Sequence, residues 1–148
     1  MHSGAWKWIV PACRLILGGV FIYASIDKIA HPDAFADILY NYHLVPAWGI
    51  HFLAAWLPVL ELLAGICLIS GILLRGAATI SGGLLIVFIV ALGINLFRGY
   101  NIDCGCFTTG AGTHEGGMIA LILRDILLLA PAVLILLHEY RYPRPRES

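Results

Sequence analysis

The sequence predicts an all-α integral membrane protein, a four-helix bundle with both termini in the cytoplasm. Of its 148 residues, 60% are hydrophobic and only 12% are charged, and the mean hydropathy is +0.89. Soluble domains carry about 45–50% apolar and about 25% charged residues, so this chain has too little polar surface to cover a water-soluble globule. Nine basic and nine acidic residues leave no net charge, which removes the electrostatic basis for binding nucleic acid.

Four long apolar segments are the predicted helices, at residues 8–30, 48–74, 76–97 and 116–138. The third has no charged residue from Gly76 to Phe97, and a helix of this length, at about 1.5 Å per residue, crosses a bilayer core of about 30 Å. Backbone polar groups in lipid must be bonded within their own segment, and these runs are too long for barrel strands. We therefore expect residues 1–148 to form one membrane domain, with the first helix retained because Arg14 interrupts the pattern of a cleaved signal peptide.

Basic residues near the helix ends predict the orientation. With four spans, the termini and the middle loop share one side, and cytoplasmic flanks are enriched in Lys and Arg. We therefore expect a multi-pass protein of the bacterial cytoplasmic membrane, with loops 30–47 and 98–115 on the outer face. The side of the termini has Lys7, Arg75, Arg141, Arg144 and Arg146, and the other side has Lys28 and Arg98.

A Cys104-Gly105-Cys106 motif, preceded by Asp103, lies in the second outer loop. A disulfide requires Cα atoms about 4.4–6.8 Å apart, and residues two apart meet this limit only where the backbone folds tightly, as glycine permits. The resulting small ring is strained and easily reduced, which favours thiol–disulfide exchange over a structural role. Two alternatives stay open from the residues alone: thiolate ligands for Cu, Zn or Hg, or two inert thiols.

Other nucleophilic or basic groups are secondary candidates. His114 lies in the same loop, and the ordinary pKa of about 6.5 for histidine suits a base that deprotonates an attacking thiol. A loop histidine with no catalytic role is the alternative. Cys13 and Cys67 lie near the cytoplasmic ends of the first two helices, so we expect them to act as small hydrophobic side chains.

Six charged residues fall inside the predicted spans. A charge at the centre of a membrane helix costs about 2.5–3.5 kcal/mol, so such groups should face other helices and pair. One interpretation is buried ion pairs that set the helix register. The other is a polar pocket beneath the Cys loop that binds a quinone head group or passes protons. The six are Arg14, Asp27, Lys28, Glu61, Arg124 and Asp125.

Three blocks resemble the DoxX-like superfamily of small four-helix membrane proteins and, within it, the MauE branch named for methylamine utilisation. The Cys block is the most specific of the three. It departs from the family pattern after Phe107, where Thr108 replaces the usual glycine. The blocks are Arg14–Lys28, then Leu57–Gly65 with Gly71–Arg75, and finally Asp103–Phe107 with Leu123–Asp125 downstream.

The resemblance implies a redox-associated membrane protein that forms, reduces or rearranges disulfides in exported proteins. The resemblance implies that Cys104 and Cys106 are the reactive pair. The partner that it implies is a thioredoxin-like protein, exported or membrane-anchored. The candidate electron acceptor is a quinone. A thiophilic metal-binding or transport component and a non-enzymatic assembly factor are the alternatives. The supporting polar positions are Glu61, Arg124 and Asp125, and we add Arg14, Asp103 and His114.

Overall fold

A computed structural model of the protein describes residues 4–41, 43–98 and 117–143. Every regular element in these ranges is a helix, which confirms the all-helical prediction. The helices in chain order are α1 (Trp6–Ala30), α2 (Pro32–Asn41), α3 (Ala47–Ser70), α4 (Leu74–Phe97) and α5 (Gly117–Arg141).

The four long helices contact one another in a closed order. α1 packs most extensively on α3, and α4 on α5, while α3–α4 and α1–α5 contacts are less extensive and complete the ring. A shared core forms between them, because each helix contributes small or aliphatic side chains that are fully buried. These include Leu17, Leu68, Ala78 and Ile135.

α2 occupies the segment between α1 and α3 that the sequence predicts as a loop. Pro32 disfavours helical backbone at His31, where φ is −129° and ψ is 64° and α1 ends. Proline also suits the first position of a new helix. Phe35 and Leu39 of this ten-residue helix are buried and pack with the first half of α3, on Ile50 and its neighbours. α2 was missed because it is too short to register as an apolar span.

The turn between α3 and α4 comes earlier than predicted. α3 ends at Ser70 and not at residue 74, because Gly71 adopts a left-handed conformation with φ 81° and donates its N–H to the Cys67 carbonyl. Left-handed glycine is a common helix terminator, since it has no Cβ to clash. Leu73 is also left-handed, with φ 50°, and α4 begins at the next residue.

Arg14 stabilises this turn from the neighbouring helix. Its Nε donates to the Leu68 carbonyl at 2.9 Å, and its Nη2 donates to the Ile69 carbonyl at 3.0 Å. The last carbonyls of a helix have no intrahelical partner and lie at the negative end of the helix dipole, so a guanidinium is favourable there. Arg14 therefore joins the start of α1 to the end of α3.

α1 and α3 approach closely through two glycines. A Cβ added to Gly18 would lie 2.7 Å from Ile69 Cγ1 and 2.9 Å from the Gly65 carbonyl oxygen. A Cβ added to Gly65 would in turn lie 2.9 Å from the Gly18 carbonyl oxygen. Small residues permit such backbone contact between membrane helices, where packing replaces the hydrophobic effect as the driving force.

Three helices, α1, α3 and α4, are long and apolar enough to cross a membrane by length and composition within the described ranges. α5 is equally long at 25 residues but is not in that group, and it contains Arg124 and Asp125. Large apolar side chains face outward, including Trp48 at 84% exposure and Phe97 at 95%. The fourth span and the cytoplasmic placement of both termini remain predictions.

Candidate functional site

The Cys104 and Cys106 pair lies outside the described residues, together with Asp103 and His114. Their roles therefore remain predictions. The described helices establish which helix ends the motif connects: α4 ends at Phe97 and α5 begins at Gly117. The end of α1 belongs to the same end of the molecule, because α1 and α4 both run from the side of the N-terminus.

A buried ion pair joins α1 to α3. Lys28 Nζ lies 2.6 Å from Glu61 Oε1 and 2.8 Å from Oε2, and the two side chains are 0% and 2% exposed. The long lysine side chain makes this contact possible, because helical side chains lean toward the N-terminus of their own helix. Lys28 therefore reaches back from near the end of α1 toward the middle of α3.

Two aromatic rings complete the surroundings of the Lys28 ammonium. It lies 5.1 Å from the centroid of the Phe35 ring and 5.0 Å from that of Phe88. A desolvated cation over an aromatic face gains about 2 kcal/mol or more. Phe35 belongs to α2, so this short helix covers the ion pair at the end of the molecule where α1 ends.

A second charged pair, Arg124 and Asp125, lies on α5. Arg124 Nε and Nη2 donate to Asp125 Oδ1 at 3.1 and 2.7 Å. The Asp125 side chain is 2% exposed and that of Arg124 is 26% exposed. Asp125 Oδ2 is buried and has no hydrogen-bond partner among the described residues, an arrangement that is rare and costly for a carboxylate oxygen.

Both pairs line one cleft among the four long helices, which we call the α1–α5 cleft. It is narrow, with a cavity volume of about 20 Å³, which is room for about one water molecule. Its charged members are Lys28, Glu61, Arg124 and Asp125, which we call the charged quartet. Opposite charges balance within the quartet, so the set can exist in an apolar interior. The apolar lining is Val20, Phe21, Ala24, Leu85, Phe88 and Leu128.

The other two charges predicted inside the spans lie elsewhere. Arg14 bonds the end of α3, about 21 Å along α1 from Lys28 at a helical rise of about 1.5 Å per residue. Asp27 lies at the surface, with its Oδ1 atom 3.7 Å from His31 Nδ1. Glu61, Arg124 and Asp125 are the predicted supporting residues that the fold brings together.

Lys28 and the two phenylalanines are site residues that the sequence reasoning did not assign. A usable signal existed for Lys28, because a lysine inside a membrane helix requires a carboxylate partner and Glu61 is the most central acid. No comparable signal existed for Phe35 or Phe88, since their rings meet at Lys28 only after three helices have packed.

A metal centre finds no support in the described part of the chain. Within those ranges no group of three or more His, Cys, Asp and Glu side chains is placed to hold a metal ion. Cys13 and Cys67 are free thiols there and pack against the apolar core. This packing agrees with their prediction as small hydrophobic side chains.

Comparison with known proteins identifies relatives over most of the chain. The family described as "Methylamine utilisation protein MauE" matches residues 6–138, a range that includes every member of the charged quartet. The MauE protein of Paracoccus denitrificans is 34% identical over 128 residues, which cover 86% of this chain and 68% of that protein.

Two further MauE proteins show similar agreement. That of Methylorubrum extorquens is 39% identical over 120 residues, 74% of this chain and 64% of that protein. That of Methylophilus methylotrophus is 33% identical over 124 residues, 80% of this chain and 65% of that protein. The chain thus spans about two thirds of the length of these curated relatives. No solved structure matches it. On the family match and these identities, the chain belongs to the methylamine utilisation protein MauE family.

Proposed function

We propose that this protein is a thiol–disulfide oxidoreductase of the bacterial cytoplasmic membrane. Cys104 and Cys106 cycle between dithiol and disulfide in a loop at the outer face. They exchange with an exported or membrane-anchored thioredoxin-like protein. We connect this exchange with methylamine utilisation, for which the relatives are named.

The observation that supports this proposal best is the charged quartet, which lies toward the helix ends that the cysteine segment connects. Asp125 is the ninth residue of α5, so it lies about 12 Å from the start of that helix at about 1.5 Å per residue. A buried set of four charges is costly to maintain in an apolar protein, and intramembrane ionisable groups commonly mark sites of proton or substrate handling. Thiol oxidation releases two protons, which such a site can receive.

The proposed reaction balances with a membrane quinone as the electron acceptor. A thiolate of the partner attacks one sulfur of the Cys104–Cys106 disulfide, which forms a mixed disulfide and releases the other cysteine as a thiolate. The partner's second thiolate then attacks the partner's sulfur in the mixed disulfide and releases the remaining cysteine. The partner gains a disulfide, and the membrane protein gains two thiols. Two electrons and two protons then pass to a membrane quinone, which becomes quinol as the Cys104–Cys106 disulfide forms again. A reducing cycle runs the same exchange in reverse.

The four-span arrangement with both termini in the cytoplasm also gains support. Lys28 was the first basic residue counted for the outer side, but it is buried and bonded to Glu61, so it is not a flanking charge. Arg75 lies at the opposite end and donates to the Glu139 carbonyl near the end of α5 at 2.8 Å. The remaining excess of basic residues favours the side of the termini as cytoplasmic.

An assembly factor without redox chemistry is the second candidate. Two findings favour an assembly factor over a soluble enzyme. The protein exposes an extensive apolar surface, and its relatives are named for methylamine utilisation. For the metal-binding alternative, the described residues add no ligand cluster to Cys104 and Cys106.

Redox titration of the purified full chain separates these candidates. The protein in lipid nanodiscs is equilibrated in buffers of defined thiol–disulfide potential and alkylated, and the Cys104–Cys106 disulfide is quantified by mass spectrometry with metal content measured in parallel. Cys13→Ser/Cys67→Ser is the matched control, because it removes the two core thiols and leaves the outer pair.

We expect a two-electron titration that persists in the Cys13→Ser/Cys67→Ser control and is lost in Cys104→Ser and Cys106→Ser. A pair that never forms a disulfide at any potential would refute the oxidoreductase. Stoichiometric metal that is lost in Cys104→Ser would establish the metal-binding alternative. Normal maturation of the partner in cells with the Cys104→Ser/Cys106→Ser double variant would establish the assembly factor.

A further inference from the structure

We propose that the α1–α5 cleft binds one water molecule, which donates a hydrogen bond to Asp125 Oδ2 and accepts one from Lys28 Nζ. The water joins the two ion pairs of the charged quartet into one hydrogen-bonded network. This inference concerns a binding site among the helices and does not depend on the proposed thiol chemistry.

The size of the cleft restricts its ligand to one very small molecule. Its cavity volume is about 20 Å³, and a cavity must measure at least about 10–15 Å³ on this scale to hold a water. The buried side chains of Phe21, Leu85 and Phe88 form apolar walls that limit this volume. One water therefore fits with the helices in place, whereas a ring or another large ligand does not.

The Asp125 carboxylate supplies the hydrogen-bond acceptor. Arg124 Nε and Nη2 both donate to Oδ1, while Oδ2 is buried and has no hydrogen-bond partner within the described ranges. Buried waters typically bond to buried polar groups that are otherwise unsatisfied. A water that donates to Oδ2 therefore completes the hydrogen bonding of this carboxylate.

The Lys28 ammonium supplies the hydrogen-bond donor. An ammonium group has three N–H donors, and Lys28 directs two of them to the Glu61 oxygens at 2.6 and 2.8 Å. Lys28 and Asp125 line the same cleft and are close enough for their charges to interact, but no hydrogen bond joins them directly. Polar groups that are too far apart for a direct bond are commonly bridged by water, and the third N–H of Lys28 can donate to such a bridge.

The balance of charge in the cleft favours water over an ion. The quartet contains two cationic and two anionic side chains, so a cation in the cleft would lie beside the Lys28 ammonium and an anion beside the Asp125 carboxylate. Like charges repel strongly where the effective dielectric constant is low. Water is neutral, and it meets the ammonium with its oxygen and the carboxylate with a hydrogen.

The bridging water gives α5 a polar link to the other helices at this site. The Lys28–Glu61 bonds join α1 to α3, whereas both Arg124–Asp125 bonds lie within α5. Through the water, Asp125 is connected to Lys28 and, through Lys28, to Glu61. Three helices then share one hydrogen-bonded network.

Two measurements on the full chain locate the water. Crystals grown in lipidic cubic phase show ordered water directly, and solid-state NMR in lipid bilayers follows magnetisation transfer from water to the Asp125 carboxyl carbon. Ala24→Val fills the cleft, because Ala24 is a buried lining residue and gains two carbon atoms. Ala12→Val is its matched control, since Ala12 is an exposed residue of the same helix. Asp125→Leu removes the acceptor, and circular dichroism with monodisperse elution establishes that each variant is folded.

We expect one water peak in the wild type, about 2.7–3.2 Å from both Asp125 Oδ2 and Lys28 Nζ. Water magnetisation should reach the Asp125 carboxyl carbon faster than it reaches Leu17, a fully buried residue of the core. Ala24→Val abolishes the peak and the fast transfer, and Ala12→Val retains both. In Asp125→Leu the water peak beside Lys28 is lost.

The wild type by itself can overturn the proposal, so the proposal stays testable if a variant does not fold. Well-ordered Lys28 and Asp125 side chains with no water between them would refute the site, and so would a direct bond from Lys28 Nζ to Oδ2. Equal water signals in Ala24→Val and Ala12→Val would contradict its location in the cleft. A water peak that persists beside Lys28 in folded Asp125→Leu would contradict the assignment of Oδ2 as its acceptor.

Discussion

Replacement of Lys28 with methionine tests the energetic importance of the buried ion pair directly. Lys28 Nζ is 2.6 and 2.8 Å from the two Glu61 oxygens, and at an effective dielectric constant of about 20 this separation corresponds to an attraction of about 6 kcal/mol. Most of that attraction offsets the desolvation of the two charges. Removal of the cation alone leaves a stranded carboxylate, so we expect Lys28→Met to lower the free energy of unfolding by about 3–5 kcal/mol.

A double-mutant cycle isolates the pair from other effects. Glu61→Leu should cost a similar amount, because it strands the lysine. The double variant Lys28→Met/Glu61→Leu should cost clearly less than the sum of the singles, since neither charge remains buried. Lys7→Met is the matched control, because Lys7 is an exposed lysine of the same helix, and it should change stability by less than about 0.5 kcal/mol.

The assay is reversible unfolding in mixed micelles, followed by circular dichroism and by tryptophan fluorescence. A loss of 3–5 kcal/mol is a large part of the stability of about 5–15 kcal/mol that is usual for folded proteins, so the single variants should also unfold at clearly lower denaturant concentration. The reasoning fails if the two single variants are additive within about 0.5 kcal/mol. It also fails if Lys28→Met resembles Lys7→Met.

Two further predictions concern close packing between helices. Gly18→Ala should destabilise the protein by about 1–3 kcal/mol, because the new Cβ meets backbone and side chain of α3 at under 3.0 Å. In Gly19→Ala the new Cβ meets nothing within 4 Å, so stability should not change. Thermal unfolding of the two variants side by side checks this. Gly71→Ala should lower the melting temperature because φ is 81° and the new Cβ would lie 2.5 Å from Arg14 Nη2. At Gly76 the new Cβ would have open space, so Gly76→Ala should leave the melting temperature unchanged. Equal melting temperatures for these two variants would contradict the assigned helix cap.

Much of the fold was predictable from local features of the sequence. Long apolar segments that cannot expose their backbone in lipid must be helical, and α1 and α4 begin or end within two residues of the predicted bounds. The second predicted span was too long by four residues, because the sequence stays apolar from Gly71 to Leu74 although the backbone leaves the helix at Gly71. α2 escaped prediction because its stability depends on Phe35 and Leu39 packing on α3.

The charged residues show where sequence reasoning reached its limit. Their presence in apolar segments predicted that each needs a partner. Glu61, Arg124 and Asp125 line one cleft, while their role in a functional site stays a prediction. The identity of each partner was not available, because Arg14 and Lys28 both lie on α1 and either could have met Glu61. Arg14 instead caps α3, which leaves Lys28 for the acid.

Composition, hydropathy and residue order along one chain were enough to establish the helical class, the abundance of apolar surface and the family. The packing of the helices was needed to show that Lys28 pairs with Glu61 and that a phenylalanine from α2 covers the pair. It was also needed to show that one Asp125 oxygen beside the cleft has no hydrogen-bond partner in the described ranges. Each of these results from side chains distant in sequence that meet when helices pack. Their distances depend on interhelical register, set by close contacts such as that between Gly18 and Gly65, and no local pattern specifies it.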